Sequence, residues 1–145
     1  MWRCPDCGRR FATEGQVHTC GELGSVDAHF VGAEIEVRRT FDRFAAVVEA
    51  LGPVEVLAQK TRIAFHARMT FAVLMPRRRW LNGHLVLAEV VDDQRFTRIT
   101  TYSARNHVHE FRLDRPDDID QSMEQRIAEA YRVGLQQHHR KPDRD

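Results

Sequence analysis

The residues best equipped for chemistry stand at the start of the chain, in "CPDCGRRFATEGQVHTC". Cys4, Cys7, His18 and Cys20 lie within the first twenty positions, and all three cysteines of the protein are among them. Two thiolates separated by two residues, with Gly8 directly after, can turn around one ion. Three thiolates and one imidazole make a tetrahedral donor set that suits Zn2+. With all four ligands from protein no position stays open for water, so the ion, one per chain, is expected to be structural. Trp2 and Phe11 would supply the small apolar cover. A redox CxxC is the competing reading, but no thioredoxin-like βαβ pattern surrounds it and it leaves His18 and Cys20 unexplained. Arg3, Arg9 and Arg10 make the segment basic and compatible with phosphate, although bracing a domain is the commoner role of such a module.

A second set of reactive types lies downstream. "QKTRIAFHAR" puts Lys60, Arg62, His66 and Arg68 on one parity of a continuous strand. Twenty of the 22 basic residues are Arg, so Lys60 stands where the composition would favour Arg. In "YSARNHVHEFRL", His107 and His109 share parity with Phe111 and Leu113 and should face the apolar side. Tyr102, Arg105 and Asn106 precede them in a turn. These residues, with His84 of "NGHLVL", are the candidate ligand-binding set: Lys60, Arg62, His84, Tyr102, Arg105, Asn106, His107 and His109. A second, catalytic metal would need His84 or Glu110 as third ligand; the spacing fixes neither, and Glu110 has the opposite parity. Hydrogen-bonded structural histidines are the plainer reading. "PRRRW" offers Arg77, Arg78 and Arg79 before Trp80, either as an exposed turn needing no partner or as a phosphate contact. No nucleophile elbow, P-loop, GxGxxG or HExxH occurs, and no catalytic residue is assigned.

The elements that must hold these residues follow from periodicity. Ser25 can cap a short turn at 26–30. Val37, Phe41, Phe44, Val48 and Leu51 form one helical stripe over 33–51, stopped by Gly52-Pro53. The period then changes to two. Strands are expected at 54–59, 61–75 (one bent strand, or two around a turn near 67–68), 80–90, 95–102 and 107–113, joined as an antiparallel meander. In the 61–75 stretch Ile63, Phe65, Met69, Phe71, Val73 and Met75 share a parity. A closing helix is expected from "DRPDDID" onward. Pro116 fits its first turn, Asp117 and Asp118 its N-terminus, and Ile119, Met123, Ile127 and Ala130 its buried stripe. The plan is a zinc finger at 1–22, an α+β domain at 23–136 with about five strands, and a flexible tail at 137–145.

Totals bound the function. With 22 basic and 21 acidic residues the formal charge is +1, so nothing global demands nucleic acid or an acidic membrane. No apolar run approaches the ~18 residues that span a bilayer. The start has no apolar signal core, and clustered thiols in an odd number fit a reducing compartment, so a cytoplasmic protein is expected.

The motifs W-x-C-P-x-C-G-R-x-F, Q-x-H-x-C, LGP, KTRIAF, RRRWL-x-GHLVLA, YS-x-RNHVHEFRL and EAYRVG together resemble a bacterial domain-of-unknown-function family, number 5655, in its actinobacterial form with an N-terminal zinc finger. The resemblance runs from Trp2 to about Gly134. It implies a small α+β domain and no assigned activity. The sheet pattern is also distantly similar to YdhG-like domains, some of which are linked to iron handling. The expected function is a zinc-binding, non-enzymatic module that takes an anionic ligand or nucleic acid in a basic, histidine-bearing pocket. The alternatives are a hydrolase- or nuclease-like enzyme using His107, His109 and Lys60, and a protein-interaction domain.

Overall fold

The computed structural model describes residues 2–3, 10–11 and 24–137. Cys4, Cys7, His18 and Cys20 lie outside the described residues, as does the tail from 138.

Two short strands, β1 (Trp2–Arg3) and β2 (Arg10–Phe11), pair antiparallel, Trp2 opposite Phe11 and Arg3 opposite Arg10. A 3-10 turn at Asp27–Phe30 follows, its first amide accepted by the Ser25 hydroxyl at 3.1 Å. Helix α1 (Ile35–Leu51) buries Val37, Thr40, Phe41, Phe44 and Val48. These positions recur every three or four residues, so one stripe faces the core. Gly52 ends the helix at φ +150°, and a Cβ there would meet the Tyr131 hydroxyl at 2.5 Å. Both facts demand glycine.

The main sheet contains β3 (Glu55–Ala58), β4 (Ile63–His66), β5 (Thr70–Pro76), β6 (Leu81–Leu87), β7 (Phe96–Ser103) and β8 (Asn106–Leu113). Every pairing is antiparallel and the order is β3-β4-β5-β6-β8-β7. The expected α+β class holds, with six strands in place of about five, because 61–75 makes two. The simple meander is corrected: β8 lies between β6 and β7, so the chain crosses over after β6 and returns as a hairpin.

Helix α2 (Gln121–Gly134) starts later than the pattern suggested. Pro116–Asp118 is a separate 3-10 turn, and the helix cap is Asp120, whose carboxylate accepts the Met123 amide at 2.8 Å. At its far end the Gly134 carbonyl accepts the amides of Arg68 and Met69 at 2.9 and 3.0 Å, tying the β4–β5 turn to the helix.

Both helices pack on one face of the sheet. Phe44 is fully buried, with ring centroids 5.3 Å from Phe65 and 6.3 Å from Phe111, the latter nearly parallel. Burying one such side chain is worth about 1.5–3 kcal/mol. The expected shared parity of Phe71, Val73 and Met75 fails for a physical reason. Ile63 pairs with Leu74 and Phe65 with Ala72, so the helix-facing side passes from odd positions on β4 to even ones on β5. Phe71 is the extra residue of a bulge at Phe65/His66 and still reaches the core, edge-on to Tyr131 at 5.5 Å. Val73 and Met75 join Leu57 and Ala64 in a smaller apolar cluster on the opposite face.

Candidate functional site

His109 lies on the helix-covered face, opposite Leu85 of β6 and Ile99 of β7. It is fully buried. The Val91 amide donates to its Nε2 at 2.9 Å, so that nitrogen carries no proton; Nδ1–H donates to the His107 carbonyl at 2.8 Å. Only the neutral ring satisfies both contacts. Burial holds its pKa below the ordinary histidine value, opposed by the bond to the His107 carbonyl and reinforced by the charges of His107 and Arg126. Phe96 meets the ring edge-on at 4.9 Å. His107 is equally committed. Its Nε2–H donates to the Ala104 carbonyl at 3.1 Å, and its Nδ1 pairs with the Thr101 hydroxyl at 2.8 Å. The apolar-facing parity read from the sequence is therefore observed for both rings, and all four ring nitrogens are in use.

The remaining members of the candidate set fall into two places. Tyr102 (74% exposed), Arg105 and Asn106 stand at the β7–β8 turn with His107, where Asn106 donates to the Ser103 hydroxyl at 2.6 Å. Lys60 and Arg62 sit in the β3–β4 turn, which the Gln59 amide closes on the Arg62 carbonyl at 2.8 Å. His84 lies on the sheet face away from the helices, opposite Val73 and Glu110. Burial lowers its pKa, Arg62 lowers it further, and Glu110 pulls the other way. Arg62 and His84 thus share a neighbourhood. The His107 group lies at the other end of the strands, so the eight residues do not converge on one cavity. Among the described residues no group of three or more metal-ligating side chains is assembled.

What the register does bring together is a basic end of the sheet. In an antiparallel succession the turn before β4 and the turn after β5 emerge on the same end. Lys60 and Arg62 therefore stand at the same end of the sheet as Arg77, Arg78 and Arg79, whose turn closes with the Arg77 amide on the Trp80 carbonyl at 2.8 Å. β8 ends there too, with Leu113 opposite Leu81, and carries Arg112. The Arg112 guanidinium lies 4.2 Å from the centroid of the Trp80 ring and donates to Asp114 at 2.8 Å. Arg79 reaches Glu34 only at 3.6 Å, and Arg62 bonds the neutral Gln59 at 2.9 Å. Lys60, Arg77 and Arg78 are exposed and pair with no acidic group among the described residues. Beside this end, on the open face, Arg98 approaches Glu110 at 3.8 Å. The sequence held a signal for this convergence: two short basic turns separated by two strands.

The architecture defines a six-stranded antiparallel α+β domain with both helices on one face and a basic turn cluster at one end. The chain belongs to the family described as domain of unknown function (DUF5655), whose model matches residues 26–134. No curated protein and no solved structure matches. No described helix is long and apolar enough to cross a membrane.

Proposed function

We propose that this protein is a non-enzymatic, zinc-binding module that holds nucleic acid at the basic end of its sheet. The observation that carries the reading is the emergence of two hairpin turns at one end of the sheet, where Lys60, Arg77 and Arg78 are exposed and, among the described residues, pair with no acidic group. Cations fixed on adjacent turns match successive phosphates of a strand, and an aromatic among them offers a face for a base. This replaces a histidine pocket with a surface. The enzyme reading loses support: His107 and His109 have no nitrogen to spare, and Lys60 lies at the opposite end of the sheet.

Cys4, Cys7, His18 and Cys20 are the proposed zinc ligands, and their donor chemistry fits the ion. The β1–β2 ladder supports this, because residues 4–9 connect two paired strands, as a two-thiolate knuckle requires. The ion would hold the segment's fold and take no part in binding chemistry.

Fluorescence anisotropy with short labelled single- and double-stranded oligonucleotides over a salt series tests the reading. Affinity should fall with salt, with a log–log slope of about 0.7–0.9 for each phosphate contacted. The Arg77→Glu/Arg78→Glu double variant should flatten that slope without changing the melting temperature. No binding at low ionic strength, or binding that the double variant leaves unchanged, defeats the proposal.

A further inference from the structure

At the end of β3 and β4 away from their basic turn, Glu55 and His66 form a corner that already holds a piece of the N-terminal segment. His66 is 3% exposed and lies on the sheet face away from the helices. A carbonyl can only accept, so its Nε2–H donates to the Arg10 carbonyl, at 2.6 Å, while Nδ1 pairs with the Thr70 hydroxyl at 3.2 Å. The Arg10 guanidinium reaches Glu55, the first residue of β3, at 3.3 Å. At the other end of the same strand the Gly24 amide donates to the Ala58 carbonyl at 2.9 Å. Glu55 and Ala58 are about 10 Å apart along an extended strand. The chain between Arg10 and Gly24, which contains His18 and Cys20, thus begins and ends against one four-residue strand. On the sheet face beside it Leu57, Ala64 and Val73 are buried, although neither helix lies there.

We infer that the corner made by Glu55, His66 and the apolar trio is the docking surface for the metal-loaded N-terminal segment, with His66 as the clamp. This rests on the zinc reading above. Arg10 lies three residues after Cys7 and belongs to the strand pair that flanks Cys4 and Cys7. A metal that fixes those thiolates fixes the Arg10 carbonyl in front of His66. Zinc uptake therefore reaches beyond its own ligands and stiffens the edge of the main sheet.

Hydrogen–deuterium exchange on the full chain, zinc-loaded and chelator-stripped, with metal content measured on the same samples, tests this. Stripping zinc should speed exchange across residues 55–66 by about tenfold, the factor carried by one lost hydrogen bond. The β7–β8 hairpin should be unaffected, and added zinc should restore the slow rates. In His66→Ala the chain should still take up zinc, but exchange over 55–66 should no longer respond to it. Glu55→Gln, at a part-exposed position, should weaken the response in the same direction and serves if His66→Ala does not fold. A chain that binds zinc yet shows the same exchange with and without it overturns the docking and leaves the zinc reading standing. A chain that binds no zinc overturns both. A His66→Ala chain, or a Glu55→Gln chain in its place, that keeps the full zinc response removes the clamp.

Discussion

Truncating His109 to alanine separates a structural ring from a functional one. The side chain accepts one backbone amide and donates to one backbone carbonyl, both inside the core. His109→Ala strips the Val91 amide and the His107 carbonyl of that partner, and each loss costs about 1–3 kcal/mol in a dry interior. It also opens a ring-sized hole against Phe96, so the total is about 3–5 kcal/mol. With 145 residues the melting entropy is about 0.3 kcal/mol/K, which converts that loss to a fall of about 10–17 °C in Tm. Thermal melts followed by circular dichroism, with urea titrations to show that the m-value is unchanged, measure it. A general base in an open pocket would behave otherwise, since removing it commonly leaves stability intact. A variant melting within about 2 °C of the parent would refute the structural assignment.

Two more outcomes follow from the same core. The folded His109 and His84 hold their protons less tightly than in the unfolded chain, so the unfolded state binds more protons as the solution is acidified. Their stabilising contribution is complete above the unfolded value of about 6.5 and is lost as pH falls from there through the folded values. The urea midpoint should therefore drop between neutrality and about pH 5, less steeply in His109→Ala; a midpoint that rises on acidification contradicts this. Gly83→Ala would set a Cβ 2.7 Å from Leu74, 2.8 Å from Phe111 and 2.8 Å from the Val73 carbonyl. The backbone oxygen cannot swing aside, so the variant should lose about 1–3 kcal/mol in urea titration; an unchanged midpoint would show that the sheet yields there.

The sequence was most readable where one residue's environment is set by its own element. The α1 stripe, the two-residue alternation of β8 and the inward parity of His107 and His109 all follow from local period. It was least readable where one element sets the phase of another. Val73 and Met75 look core-facing because their spacing from Ile63 is even, but a hairpin with a bulge intervenes and reverses the phase. The partner of His109 illustrates the same limit. Val91 lies in a loop with no pattern, and only the crossover after β6 brings its amide to the ring. Lys60 and Arg62 are visible as candidates in the sequence, but the His107 end of the histidine strand lies at the opposite end of the sheet. The fold instead brings them to the same end as Arg77 and Arg78, whose turn is self-sufficient when read alone. Pro116, Asp117 and Asp118 resemble a helix start, yet they build a separate turn, and Asp120 supplies the cap.

The insertion of β8 between β6 and β7 also has a consequence in time. Ser103 and Asn106 meet across a two-residue turn, whereas β6 must wait for β8, with Leu87 finding His107 and Leu81 finding Leu113. Contacts close in sequence form at low entropic cost, and distant ones are paid for later. The β7–β8 hairpin should thus assemble first and dock as a finished ribbon onto β6. The Val91–His109 bond then records completion, because it exists only once the crossover and the ribbon have both arrived.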